Sequence, residues 1–401
     1  MRAIARSLAL EGNIRVLAVQ TLVSQLGFGM FYVVWQPYIL STGVGIVDLG
    51  IIQSTINLST AAGLIVWGVL SDRFGRKPVT LLASASRLIA LTALIMSSNF
   101  AFLLVFAFFV GFSALFMQGN PARSALVSES VGRQRNATAF STLMAISQIS
   151  LTFTSSIGGY LAMMAGYHII FYICIAGDLL GLAIMALFIE ETLVRRPGEA
   201  DAEQTFGRRL IDLLMPERTM TPLYVMMVIM GVGYGTAYSL FYGFLVEGYS
   251  FTPLQLGFLS TAFNLTWAVA SIPLGRLSDR VGRKPMLVAS WAMAVVTAVG
   301  FLFSRSFEMF LLFNLTNALD PAFWISPWLS LIAERAPPRM RSTVLGKLDS
   351  YTKLAGIPAP WLGGVLYSTM GFSAPLLVHL AFLSMAGIII FSIREPRKDH
   401  V

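Results

Sequence analysis

The sequence predicts an all-α membrane protein in which twelve transmembrane helices form two pseudo-symmetric six-helix bundles. Three observations lead to this prediction: the composition, the spacing of the apolar segments and an internal repeat. Hydrophobic residues make up 56% of the 401 residues and charged residues only 12%, about half the charged fraction of ordinary soluble domains. A soluble fold could not bury this much apolar surface, so the bilayer is the expected solvent.

Apolar segments of about 18 residues or more, long enough to cross a bilayer as a helix, recur from end to end. We place spans 1 to 6 at about 14–40, 47–70, 78–97, 100–127, 137–166 and 168–190. Spans 7 to 12 follow at about 221–247, 253–276, 285–304, 307–333, 342–369 and 372–393. The stretch between the two sets is hydrophilic. We therefore predict an N-terminal bundle over residues 1–190, a linker over 191–218 and a C-terminal bundle over 219–401.

The distribution of basic residues predicts the orientation. The 28 Lys and Arg residues fall almost entirely in the termini, the linker and the loops after spans 2, 4, 8 and 10, whereas the opposite side carries only Arg305. The positive-inside rule thus places both termini and the linker in the cytoplasm. A net charge of +8 does not indicate a nucleic-acid partner here, because the charge is spread over loops between hydrophobic spans.

An internal repeat ties the two halves together. The eleven residues from Gly68 to Pro78, GVLSDRFGRKP, return as GRLSDRVGRKP from Gly275 to Pro285, with nine of eleven positions identical. Weaker matches have nearly the same separation in sequence as Gly68 and Gly275. They pair Glu129, Arg133 and Arg135 with Glu334, Arg339 and Arg341, and Gly158-Gly159 with Gly363-Gly364. The halves are therefore predicted to be structural repeats of equal topology.

The chemistry of the repeated loop fits a tight turn into a helix. Gly75 and Gly282 can adopt backbone angles that other residues avoid, and the proline three residues later suits the first turn of the next helix. Asp72 and Asp279 can cap a helix or pair with a basic neighbour.

Both loops resemble the signature of the major facilitator superfamily, G-x-L-[SA]-D-R-x-G-R-K, which lies between helices 2 and 3 and is often repeated between helices 8 and 9. The resemblance implies a cavity lined by spans 1, 4, 7 and 10, a rocking interface of spans 2, 5, 8 and 11, and lipid-facing spans 3, 6, 9 and 12. It also implies secondary active transport of a small solute by alternating access in the cell inner membrane.

In this fold Asp72 would contact the start of span 11, near Arg341 and Lys347, and Asp279 would meet Arg135 by pseudo-symmetry. Such contacts would close the cytoplasmic side as a conformational latch, although the same charges could merely orient the loops. The residues assigned to the latch are Gly68, Asp72, Arg73, Gly75, Arg76, Lys77, Glu129, Arg135, Gly275, Asp279, Arg280, Gly282, Arg283, Lys284, Glu334 and Arg341.

Departures from the motifs of drug:proton antiporters leave the type of transport open. Those proteins carry R-x-x-Q-G in helix 4, and here Gln118-Gly119 are present but Leu115 replaces the arginine. Proton-coupled uptake of a polar metabolite and efflux of a drug or amphiphile are both carried forward, with a transporter-fold sensor as the non-transport alternative. The absence of a Walker loop and of catalytic or metal-ligand motifs predicts that the protein is neither a primary pump nor an enzyme. We expect a monomer without cofactors that uses a proton or ion gradient.

Ionisable residues inside spans are costly and point to function. Asp320 in span 10 and Lys353 in span 11 are predicted to form a coupling pair, or else a permanent ion pair, and Asp349 is a rival partner for Lys353 one helical turn away. Arg87 and Arg123 lie nearer the cytoplasm, where a long side chain can snorkel to the interface. For Asp178 a structural hydrogen bond is expected.

Aromatic and amide side chains on the predicted cavity helices supply further candidates. Phe28, Phe31, Tyr32 and Trp35 share one face of span 1, and Tyr234, Tyr238 and Phe241 share one face of span 7. Helix packing explains such stripes as well as ligand contact does. Three glycines, Gly231, Gly233 and Gly235, could let span 7 bend. The remaining substrate candidates are Gln36, Gln118, Asn120, Arg123 and Asn317.

Overall fold

A computed structural model describes residues 8–97, 99–114, 120–132, 135–193, 217, 220–335 and 341–393. These residues are helices joined by short turns. In the first half the helices are α1 Gly12–Ser41, α2 Ile46–Phe74, α3 Arg76–Ile95, α4 Phe100–Phe112, α5 Pro121–Glu129, α6 Asn136–Ala165 and α7 Tyr167–Phe188. In the second half they are α8 Thr221–Tyr238, α9 Phe241–Tyr249, α10 Pro253–Val281, α11 Arg283–Phe303, α12 Phe307–Arg335, α13 Arg341–Ala355, α14 Ala359–Met370 and α15 Ser373–Ser392.

The helices follow the twelve predicted spans in order, and three spans are each divided in two. Span 4 consists of α4 and α5, span 7 of α8 and α9, and span 11 of α13 and α14. Proline lies at the start of the second piece in two of these spans, since Pro121 begins α5 and Pro358 precedes α14, positions where its missing N–H costs nothing. Most of the predicted linker lies outside the described residues.

Eight helical segments of the described chain are long and apolar enough to cross a membrane. They correspond to spans 1, 2, 3, 6, 7, 8, 9 and 12. Span 4 is not among them because its apolar helix α4 has only 13 residues, and the helices of spans 5, 10 and 11 carry hydroxyl or charged side chains that lower their hydropathy. Spans 4 and 10, like spans 5 and 11, occupy equivalent positions in the two halves.

The described residues divide into two compact units. Those within 1–44, 51–203 and 252–261 form the first unit, and those within 45–50, 204–251 and 262–401 form the second. In the first unit α1 packs against α6 and α7, and α3 packs against α4 and α7. In the second, α8 packs against α13, α14 and α15, and α11 packs against α12 and α15. Each unit therefore has the same neighbour pattern, as expected of a repeat.

Matching glycines permit two of the close contacts between these helices. A Cβ atom on Gly158 of α6 would lie 2.5 Å from the Cα of Met30 in α1, and one on Gly363 of α14 would lie 2.1 Å from the carbonyl oxygen of Thr236 in α8. No side chain fits at either distance, so the helices can approach this closely only because both residues are glycine. The repeated glycines of spans 5 and 11 thus serve equivalent packing contacts.

The three glycines of span 7 serve packing in this structure, and bending of the span during gating stays a prediction. A Cβ on Gly231 would lie 2.4 Å from the carbonyl oxygen of Thr352, and Gly233 and Gly235 face α15 and α14 at similarly short range. The helix continues through all three and ends only at Tyr238. Their small size is what permits these contacts.

Candidate functional site

Asp320 lies at the centre of a polar cluster inside the second unit. Its side chain is buried on α12, with 8% of the residue exposed. The hydroxyl of Tyr234 in α8 donates to one carboxylate oxygen, and the Ser290 hydroxyl in α11 donates to the other at 2.5 Å. One carboxyl group therefore joins three helices. Ser290 was not among the residues selected from the sequence, because a single serine in an apolar span carries no distinctive signal.

A small cavity adjoins this cluster. It is lined by Asp320, Tyr234 and Ser290 together with apolar side chains that include Trp291 and Trp324. His379 of α15 is 1% exposed, and its ring lies 4.6 Å from that of Tyr234 and 5.0 Å from that of Tyr238, measured between ring centroids. Of the two predicted tyrosines of span 7, Tyr234 therefore contacts Asp320, and the ring of Tyr238 lies 5.5 Å from that of Tyr234. The histidine next to them was missed.

The predicted pairing of Asp320 with Lys353 is wrong for this structure. Lys353 lies in the last turn of α13, and its side chain is exposed, whereas the Asp320 carboxylate faces α8 and α11. Asp349, the rival partner, is also exposed, and neither residue forms an ion pair within the described part of the chain. The two spans do adjoin each other. The rotation of α13 about its axis, which the sequence does not specify, turns Lys353 away.

The other predicted substrate residues that the structure describes are packed or hydrogen-bonded within the protein. Trp35 is 3% exposed and packs against Phe106 with ring centroids 6.1 Å apart. Asn120 is fully buried and caps α5 by accepting backbone hydrogen bonds with its side chain, as an N-cap residue does. Gln36 is buried, Asn317 donates to a neighbouring asparagine on its own helix, and Gln118 lies outside the described residues.

An ion pair is buried in the first unit. Arg87 of α3 donates from Nε to Oδ2 of Asp178 in α7 at 2.6 Å, and its Nη2 contacts the other carboxylate oxygen. The side chains are 7% and 2% exposed. The Arg87 guanidinium also lies 5.3 Å from the ring centroid of Phe28. Arg87 thus does not snorkel to the interface. Asp178 has the structural role expected of it, as the counter-ion of Arg87.

Arg123 is likewise buried rather than at the interface. It is 7% exposed, and its guanidinium donates to the hydroxyl of Thr21 at 2.5 Å. It lines a second, strongly polar cavity whose walls also contain Arg87, Gln20 and Gln25. All of these side chains belong to the first unit.

The repeated loop of the first unit is held by charged and backbone groups of that unit. Gly75 has φ of +109°, the conformation expected of glycine in this turn. Arg76 contacts Asp72 at 2.6 Å and Glu129 at 3.0 Å. Glu191 accepts from the backbone N–H groups of the first two residues of α3 at 2.9 and 3.0 Å. Burial alone would raise the pKa of Glu191, but four backbone N–H donors outweigh that effect and lower it from its ordinary value.

The second unit repeats the central contact of this arrangement. Gly282 has φ of +108°, and Arg283 contacts Glu334 at 2.5 Å, as Arg76 contacts Glu129 in the first unit. Lys347 lies 2.9 Å from Glu217. The repeated arginine therefore pairs, within each unit, with the acidic residue that ends the fourth span of that unit.

The contacts assigned to the latch stay a prediction. The side chains of Asp279 and Arg341 lie outside the described residues, and Arg135 contacts Glu11 at 3.4 Å. The other latch residues of the loops lie where the repeat predicts: Gly68, Arg73 and Lys77 in the first unit and Gly275, Arg280 and Lys284 in the second.

Comparisons with known proteins agree with this architecture. The sequence profile of the family described as Major Facilitator Superfamily matches residues 17–252 and 223–401. The multidrug resistance protein MdtG of Enterobacter lignolyticus (strain SCF1) is 23% identical over 86% of this chain and 80% of its own. MdtG of Dickeya zeae (strain Ech586) is 25% identical over 82% of this chain and 80% of its own.

Solved structures share the fold. A point mutant of the nucleoside transporter NupG superposes with a TM-score of 0.75 at 14% identity, covering 94% of this chain and 98% of its own. A bacterial homologue of the human lysosomal transporter Spinster gives 0.71 at 14% identity, covering 94% and 95%. Because the family profile matches nearly the whole length, the chain belongs to the Major Facilitator Superfamily and is an integral membrane protein of the secondary-transporter class.

Proposed function

We propose that this protein couples solute movement to a proton gradient and that Asp320 carries the proton. The observation that supports this proposal is the buried Asp320 carboxylate, which accepts hydrogen bonds from hydroxyl groups on two other helices. An ionisable group in a membrane-spanning helix costs about 3 kcal/mol or more when charged. An ionisable residue at such a position therefore indicates that its charge has a function.

Protonation of Asp320 would change the contacts among three helices. In its ionised form the carboxylate accepts two charge-assisted hydrogen bonds, from Tyr234 on α8 and Ser290 on α11. Such bonds are roughly twice as strong as neutral ones. When the carboxyl group takes up a proton, these bonds weaken, so α8 and α11 are held less firmly to α12. Proton binding would thereby favour one arrangement of the second unit over another.

Infrared difference spectroscopy tests the assignment without knowledge of the solute. A pH titration of purified protein should show the carbonyl stretches of the carboxyl groups that become protonated, and Asp320→Asn should remove one band from this set. Glu308→Gln is the matched control, since Glu308 is an exposed carboxylate at the start of the same helix. Retention of the band in Asp320→Asn would assign the proton to another residue.

Efflux of a cationic amphiphile is the second candidate function. The indole rings of Trp291 and Trp324 line the cavity beside Asp320, and aromatic faces together with a carboxylate suit an organic cation with an apolar body. The cavity has a volume of about 10 Å³, so it has to widen during the transport cycle to admit such a solute. The relatives named multidrug resistance proteins support the same interpretation. Accumulation of radiolabelled tetraphenylphosphonium by inside-out vesicles separates this candidate from uptake of a polar metabolite. Uptake by those vesicles indicates efflux in the cell.

We also propose that the protein is a monomer of the inner membrane with both termini in the cytoplasm and that it transports without an enzymatic step. The distribution of basic residues supports this orientation. In a Cys174→Ser background, a cysteine at Ser306 should react with an impermeant reagent outside the cell, and a cysteine at Glu203 should not. The reverse labelling would contradict the orientation.

A further inference from the structure

The polar cavity of the first unit has no role in the proton coupling proposed above. Its walls contain Gln20, Thr21, Ser24 and Gln25 of α1, and the guanidinium groups of Arg87 and Arg123 with two hydroxyl side chains of α3. Its volume is about 20 Å³, which is room for one particle the size of a water molecule. The volume is somewhat larger than the roughly 10 to 15 Å³ that one water needs, so the cavity in this state admits one water or one monatomic ion.

Two glutamines of this wall are incompletely bonded. Gln20 and Gln25 are 9% and 8% exposed, and the side-chain oxygen of each is buried without a hydrogen-bond partner among the described residues. Their amide nitrogens face serine hydroxyls, of Ser24 at 3.0 Å and Ser147 at 2.8 Å. A buried amide oxygen with no partner costs about 1 to 3 kcal/mol. The walls of the cavity thus require a further hydrogen-bonding group.

A half-turn of each amide would exchange the need for a hydrogen-bond donor for a need for an acceptor. Amide oxygen and nitrogen have the same shape, so the group can rotate by 180° in place. Each serine hydroxyl would then donate to the glutamine oxygen, at the same 3.0 and 2.8 Å separations. The amide N–H groups of Gln20 and Gln25 would take the former oxygen positions, where they need an acceptor.

The charge of the cavity favours an anionic acceptor over water. The buried charged side chains of the first unit, within the described residues, are Arg87, Arg123 and Asp178, which sum to +1. A guanidinium carries five N–H donors, so Arg123 can donate to a guest as well as to Thr21. A monovalent anion would balance the charge, whereas water would not.

We propose that this cavity binds one small monovalent anion of the size of chloride, held by the guanidinium of Arg123 and the amide N–H groups of Gln20 and Gln25. The site is separate from Asp320, which belongs to the other unit. Its occupation does not depend on the solute that the protein carries or on proton coupling.

The test compares salts at constant ionic strength. Purified full-length protein is unfolded by heating in mixtures of sodium chloride and sodium gluconate, and binding of ³⁶Cl⁻ is measured by equilibrium dialysis. We expect saturable binding of about one chloride per chain. A ligand that binds only the folded state stabilises it by mass action, so the Tm should rise by about 2 °C for each tenfold increase in chloride above its Kd. Bromide should replace chloride, and gluconate is too large to enter.

Variants locate the site. Gln20→Leu with Gln25→Leu keeps similar volume and removes the amide donors, so it should abolish chloride binding and the chloride dependence of Tm. Gln53→Leu is the matched control, because Gln53 lies in the same unit and bonds to Asn57 instead of lining the cavity. Equal Tm in both salts together with no saturable ³⁶Cl⁻ binding by the wild type would mean a water-filled cavity and overturn the proposal. Undiminished binding by the leucine variant would overturn it equally. The wild-type measurement decides the question even if the leucine variant does not fold.

Discussion

Removal of one partner from the buried Arg87–Asp178 pair should destabilise the protein severely. Asp178→Asn would leave the guanidinium of Arg87 in a site where the two side chains are 7% and 2% exposed. The pair is bidentate, with one contact at 2.6 Å, so the substitution removes the negative charge that compensates the guanidinium. Breaking a buried pair on one side costs about 3 to 5 kcal/mol because the remaining charge is uncompensated.

Removal of both charges should cost much less. Replacing a buried ion pair with apolar side chains of similar volume is often close to neutral, and in a membrane the apolar pair also avoids the insertion cost of charge. We therefore expect Arg87→Met with Asp178→Leu to be more stable than Asp178→Asn by about 3 kcal/mol.

The assay is thermal or denaturant unfolding of the purified single and double variants, with Arg305→Gln as the control. Arg305 is an exposed arginine, and loss of an exposed charge costs about 0 to 1 kcal/mol. Asp178→Asn with wild-type stability, or a double variant no more stable than Asp178→Asn, would refute the argument that the two buried charges compensate each other.

Two further predictions concern the loop and the helix contacts. Glu191→Gln should cost about 1 kcal/mol, as loss of a helix cap does. Because the pKa of Glu191 is lowered in the folded protein, its carboxylate stabilises the fold fully above the ordinary pKa of glutamate, and this stabilisation is lost as the pH falls through the lowered value. The difference in unfolding free energy between Glu191→Gln and the wild type should therefore be smaller in acid than at pH 7. Gly158→Ala and Gly363→Ala should each cost about 1 to 3 kcal/mol by overpacking, whereas Gly346→Ala, where a Cβ meets nothing within 4 Å, should not destabilise. Equal stability of the three alanine variants would contradict the packing argument.

The fold was predictable because its signals are repeated along the chain. Each apolar segment reports independently on a helix, and the two loops that begin at Gly68 and Gly275 align the halves. The pairing of each repeated arginine with the acidic end of its own fourth span required the structure. The sequence shows Glu129 and Glu334 as a weak internal repeat, but it does not show that each of them contacts the repeated arginine.

The site was only partly predictable, because depth in the membrane can be counted from sequence and rotation about a helix axis cannot. Asp320 was identified correctly as buried, and Lys353 lies on a neighbouring helix but points away. Arg87 lies eleven residues into α3 and Asp178 ten residues before the end of α7, about 16 and 15 Å of helix respectively. Matching depths of opposite charge could therefore have indicated this ion pair.

The central claim is that Asp320 links the proton gradient to solute movement, and transport by proteoliposomes tests it most directly. For a solute identified by its stabilisation of the purified protein, accumulation driven by a pH gradient is compared with exchange of solute between equal pools. We expect Asp320→Asn to exchange at close to the wild-type rate while accumulation falls to the level of protein-free vesicles, and Glu308→Gln to behave as wild type in both. Accumulation by Asp320→Asn at the wild-type level would contradict the claim.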